Sequence, residues 1–85
     1  MTSEKYAKAI IDYYKYTTED GQTPVVSTTE DGVASFESFA DNQYGYYYFK
    51  AVDGKMIYIV FSTNSAADDT LKAEFAEIVN GAAIA

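Results

Sequence analysis

The chain has no cysteine, histidine, tryptophan or arginine, and only one proline (Pro24) and one leucine (Leu71) in 85 residues. Each absence removes a class of explanation. Without cysteine no disulfide can stabilise a small fold, which suits a reducing compartment. Without cysteine and histidine, structural zinc has no ligands, and neither a Ser-His-Asp nor a Cys-His nucleophile can be assembled. Calcium would find oxygen donors at Thr29, Glu30 and Asp31, but not in the spacing of an EF-hand loop. The five glycines are scattered and read as one per turn, so a Gly-rich phosphate cradle is missing. No catalytic residue, metal or cofactor is expected. The apolar run Met56–Phe61 is far shorter than the ~20 residues that cross a bilayer. Near the start, Glu4, Lys5 and Lys8 stand where a signal peptide carries its unbroken apolar stretch, so a cytoplasmic location is expected.

Positive charge is scarce as well. Thirteen acids against six lysines give a net charge of −7. Direct nucleic-acid binding lacks its basic footprint, and an anionic membrane surface would repel the chain. A basic protein surface would attract it and speed encounter. The same charge also serves solubility. Neighbouring acids at Glu19/Asp20 and Glu30/Asp31 precede glycines. Such pairs are ordinarily solvated turn residues, and a two-carboxylate glycosidase cleft is hard to build in so short a chain.

Aromatic residues are abundant, with nine tyrosines and five phenylalanines. An 85-residue chain forms one small domain that buries only about 60–65% of the surface its unfolded form exposes. Rings that each bury roughly 150–250 Å² therefore replace leucine as the source of core area. Residues 3–16 have helical spacing: Tyr6, Ala9, Ile10 and Tyr13 form a stripe that Ala7, Ile11 and Tyr14 widen, and Thr2 or Ser3 can cap it. The pentapeptide TTEDG occurs twice, at 17–21 and 28–32, which predicts two similar turns around a short strand that starts at Pro24 or lies at a sheet edge. Residues 33–40 read as a strand through about Phe36, then a loop over 40–43; a helical turn fits Phe36, Phe39 and Ala40 equally well. A final helix follows Asn64 or Ser65, with Asp68 in a capping-box position, a stripe of Ala67, Leu71, Phe75, Ile78 and Val79, and a stop at Gly81. The tail 82–85 is expected to fray unless Ile84 docks.

Between these lies the strongest signal. The segment 44–63, YGYYYFKAVDGKMIYIVFST, reads as two strands joined by a two-residue turn at Asp53–Gly54. That turn sets Phe49 opposite Tyr58 and Tyr46 opposite Phe61. Tyr47, Phe49, Ala51, Met56, Tyr58 and Val60 then share one face; Tyr46, Tyr48, Lys50, Val52, Lys55, Ile57, Ile59 and Phe61 share the other. The expected fold is α+β: an antiparallel meander of three or four strands with the N- and C-terminal helices packed on one face, α-β-β-β-β-α.

Two apolar faces on one ribbon leave one face over, and that surplus points to binding. The tyrosines at 44, 46, 47 and 48 read either as core or as an interface patch. Stacking of single-stranded nucleic acid on them would need a cationic groove, and only Lys50 and Lys55 are near. The expected function is that of a small inhibitor which blocks a basic nucleic-acid-binding surface of another protein. Tyr44, Tyr46 and Tyr48 would supply apolar contact, and Glu19, Asp20, Glu30, Asp31, Glu37 and Asp41 would stand in for phosphates. In size and charge the chain resembles small phage-encoded inhibitors, anti-CRISPR proteins among them, and toxin-immunity proteins. The alternative is a homo-oligomeric structural or adaptor protein that pairs the tyrosine-rich face with its twin across a twofold axis.

Overall fold

Asp53 and Gly54 both adopt left-handed backbone, with φ of 51° and 78°, and close a two-residue hairpin of the twist-matched kind. In the computed structural model, which describes residues 2–82, the elements run α1 (Ser3–Tyr14), β1 (Ser27–Thr28), β2 (Ala34–Ala40), β3 (Gln43–Val52), β4 (Lys55–Thr63) and α2 (Asp69–Asn80). The four strands form one antiparallel sheet in the order β1-β2-β3-β4. The predicted register of the central hairpin is the observed one: Phe49 pairs with Tyr58, Tyr48 with Ile59 and Tyr46 with Phe61.

The helices do not share a face. α1 lays Ala7 and Ile11 on Phe36 and Phe49, with Tyr6, Tyr16, Val26, Tyr47 and Met56 around them. α2 lies on the opposite side, where Phe75 stacks on Phe61 with ring centroids 4.1 Å apart and sits 5.4 Å from the ring of Tyr46. The reason is the two-sidedness of the hairpin itself. With apolar rings on both faces, one helix on each removes more apolar surface from water than two helices crowded on one. The sheet is thus the middle layer, and the surplus face expected from the sequence is covered in part by α2.

Lys50 completes that arrangement. It projects from β3 on the α2 face, and its Nζ donates to the carbonyls of Val79, Asn80 and Ala82 at 3.2, 2.9 and 3.0 Å. A cation at the negative end of a helix satisfies carbonyls that have no partner within the helix. At the other end of α2, Asp68 is the cap, accepting the Leu71 N–H at 2.8 Å, so the helix begins beyond Asn64 and Ser65. Thr2 caps α1 and Lys15 ends it in left-handed backbone.

Several local expectations shift. Ala9, Tyr13 and Tyr14 are exposed; the buried line of α1 is Ser3, Ala7 and Ile11, because the small Ala7 lets the helix approach the sheet. On α2, Phe75 and Val79 are buried while Ile78 is exposed. β2 continues to Ala40, and the loop expected at 40–43 is a tight turn at Asp41–Asn42, both left-handed. Gly45 lies inside β3 rather than in a turn: a Cβ there would stand 2.7 Å from the ring of Tyr47, so its absence gives that ring its place. Ile84 lies outside the described residues.

The TTEDG copies fold alike. In each, the glycine N–H donates to the carbonyl of the second threonine, Gly21 to Thr18 and Gly32 to Thr29. The next residue donates to the same threonine's Oγ1, Gln22 to Thr18 and Val33 to Thr29, both at 3.2 Å. Both glycines are left-handed. The second copy joins β1 to β2 and is held by the Ser3 hydroxyl, which donates to the Gly32 carbonyl. The first is tied to the far end of β2, where Phe39 N–H donates to Thr17 O at 2.9 Å.

Candidate functional site

On the α2 face the helix covers β3 and β4 and leaves the β1–β2 half open. An open groove of about 520 Å³ runs there. Strand alternation builds its floor: Ser35, Glu37 and Phe39 of β2 point the same way as their β3 partners Tyr48, Tyr46 and Tyr44. The first TTEDG turn, with Thr18, Glu19 and Asp20, forms one wall beside Val25; Ala66, in the segment before α2, and Lys72, in its first turn, form the other.

Six of the nine expected contact residues line it: Glu19, Asp20, Glu37, Tyr44, Tyr46 and Tyr48. Glu19 accepts the Tyr44 hydroxyl at 2.8 Å, which fixes the turn over the floor. Glu37 forms an ion pair with Lys72 at 3.2 Å, both side chains about half exposed. Tyr48 is half-buried, its ring edge-on to Phe61.

Tyr46 touches the groove floor but belongs to the core. It is 2% exposed under Phe75, and its hydroxyl accepts the Ala67 N–H at 2.7 Å. The reach of α2 across its ring turns an expected contact into a structural one. Glu30 and Asp31 sit on the second TTEDG turn, at the opposite end of the sheet, and Asp41 sits in the β2–β3 turn; none of the three lines the groove. Lys72, Ser27, Ser35 and Val25 line it without having been expected. A register for β2 was the missing signal, since it alone places Ser35 and Glu37 beside the tyrosines.

The groove hydroxyls stay protonated at neutral pH. The hydrogen bond to Glu19 raises Tyr44 above the ordinary tyrosine range, and burial followed by the charge of Glu37 raises Tyr48, with Lys72 opposing. Lys72 is raised in turn, chiefly by its hydrogen bond to Glu37. Fixed negative charge therefore comes from the three carboxylates, with one lysine among them. No group of three or more metal-ligating side chains occurs among the described residues.

A second aromatic cluster lies on the α1 face. Tyr14, Tyr16, Tyr47 and Tyr58 form a chain with ring centroids 5.6, 4.9 and 6.3 Å apart. Burial, then the hydrogen bond and charge of Tyr47, pushes the Tyr16 hydroxyl far up; Tyr58 is raised mainly by burial. A folded state that keeps these phenols protonated holds their protons more tightly than the unfolded chain does. Their stabilising contribution is complete below the unfolded tyrosine pKa of about 10 and is lost as pH climbs through the raised folded values. Urea melts are expected to give a midpoint that does not respond to these groups between pH of about 7 and 9 and falls beyond about 10. Tyrosinate absorbance from Tyr16 and Tyr58 should appear together with unfolding.

Comparison with protein-family models, curated proteins and solved structures finds no match to this chain. No helix among the described residues is long and apolar enough to cross a membrane.

Proposed function

We propose that the chain is a small acidic inhibitor that seats its groove on a basic, nucleic-acid-binding surface of another protein and acts by charge mimicry. The juxtaposition of Glu19, Asp20 and Glu37 around Tyr44 and Tyr48 carries this reading. Carboxylates spaced around a polar-rimmed aromatic floor offer lysines and arginines what a phosphate backbone offers them, and tyrosine rings add contact area at low entropic cost. Lys72 leaves Glu37 partly available, because their exposed pairing holds it weakly. Glu30, Asp31 and Asp41 lie away from the floor and contribute long-range attraction rather than contact. The mode is binding without chemistry. It fits a phage or mobile-element protein of the anti-CRISPR kind acting in the cytoplasm of its host.

The test is capture from a host lysate, identification of what is retained, and measurement of its association rate across salt concentrations. A basic partner whose association slows steeply as salt rises is the expected result. Association that ignores salt, or a partner without a basic surface, removes the proposal.

A further inference from the structure

The two edges of the sheet are built differently. The β1 edge is guarded: β1 has two residues, Pro24 precedes it, and Glu30 and Asp31 follow it. The rest of the outer side of β2 is engaged at Phe39 by Thr17. The β4 edge has no such protection. It is nine residues long, lacks proline and glycine, and carries a single charge, Lys55, at one end. Among the described residues no strand lies outside it. Because Val52 and Lys55 flank a two-residue turn, they exchange both backbone hydrogen bonds, and alternation then turns the N–H and C=O groups of Met56, Tyr58, Val60 and Ser62 outward. The side chains of Tyr58 and Val60 on this edge are 44% and 40% exposed. A long, neutral, unprotected edge in a chain of net charge −7 is a template for another strand.

We infer that β4 pairs antiparallel with β4 of a second copy of this chain about a twofold axis at Ile59, which makes a continuous eight-stranded sheet. The sequence of the strand is complementary to itself in that register. Tyr58 of each copy meets Val60 of the other, an aromatic residue against a β-branched one, as cross-strand pairs prefer. Ile57 meets Phe61, Met56 meets Ser62, and the lone Lys55 meets Thr63, so no like charges face each other. Charge on the sheet itself favours the same arrangement, with Asp53 its one acid on the β3–β4 side and Asp69, Glu74 and Glu77 carried above it on α2. Glu19, Asp20, Glu30, Asp31, Glu37 and Asp41 all belong to the β1–β2 half of the sheet, and pairing through β4 carries the two sets to opposite ends. Pairing of β4 with β1 of another copy, which would propagate as a fibre, is opposed by the shortness and acidity of β1.

This pairing does not depend on the groove. Sedimentation of the full chain from micromolar to millimolar concentration should show a species of twice the 9.4 kDa chain mass. Amide exchange should show Met56, Tyr58, Val60 and Ser62 protected along with the rest of β4. Changing Tyr58→Lys and Val60→Lys together sets lysine against lysine and should weaken association at least about 100-fold. Mixing that chain with one carrying Tyr58→Glu and Val60→Glu should restore a mixed dimer. A chain that stays monomeric, outward amides that exchange freely, or a dimer indifferent to the substitutions would each overturn the pairing. Should the double variants fail to fold, mass and exchange of the unaltered chain decide the matter.

Discussion

Phe49→Ala is expected to weaken the fold by about 3–5 kcal/mol. Phe49 is fully buried at the centre of the α1 face, with the Tyr6, Phe36 and Tyr58 rings 5.5, 5.8 and 5.0 Å away. Removing a core phenylalanine costs about 3–5 kcal/mol, the transfer term plus the cavity left behind. A domain of this length has on the order of 4–13 kcal/mol in total. No disulfide limits the loss, and the ring neighbours are anchored on three elements, so the hole cannot close by moving one of them. A urea midpoint at neutral pH lowered to match that loss, or disappearance of the transition together with near-ultraviolet circular dichroism, is the readout. A cooperative melt less than about 1 kcal/mol weaker would show that the core lies elsewhere.

The second large effect concerns binding. Reversing Glu19, Asp20 and Glu37 together to lysine should weaken the captured complex by at least about 100-fold, because close charge pairs across an interface are individually worth more than 1 kcal/mol. The fold should survive. All three side chains are exposed, and the hydrogen bonds that shape the first TTEDG turn come from Thr18 and Gly21. The Glu37 substitution sets lysine against Lys72, a repulsion that exposed side chains relieve by rotating into water. Reversal of Glu30 and Asp31 is the control: it shifts two-thirds as much charge and should reduce the association rate only modestly, without the same loss of affinity. Equal loss in both variants would mean that net charge, rather than the groove, holds the partner.

The central hairpin was legible because two local signals agree, alternation over 44–63 and an Asp-Gly turn. The β2–β3 hairpin was not, because its turn uses Asp41 and Asn42, both left-handed without glycine. Only the tolerance of Asp and Asn for that region hints at it. Which side each helix takes could not be read at all. A ribbon apolar on both faces gives neither helix a preference, and the choice rests on long-range contacts such as Phe75 on Phe61 and Lys50 on the end of α2. The same holds for the site. The acidic turns stood out in the sequence, but what separates Glu19 from Glu30 is tertiary: the Phe39 N–H to Thr17 O bond and the Tyr44 hydroxyl on Glu19 set the first turn over the floor, and Ser3 holds the second elsewhere. Tyr46 and Tyr48, two positions apart on one strand, differ only in how far α2 reaches across them.

The paired TTEDG turns separate architecture from address. Threonine and glycine supply the bend in both copies, while the acidic dipeptide between them contributes nothing to its backbone bonding. For the bend itself those two middle positions are free to drift, the one bond at stake being that of the Tyr44 hydroxyl to Glu19. In a saturation library sorted for folding alone, 18 and 21 should resist change while 19 and 20 accept most residues. A selection for docking would reverse that tolerance at 19 and 20 while leaving 30 and 31 permissive, so one repeated word would come to carry two different evolutionary records.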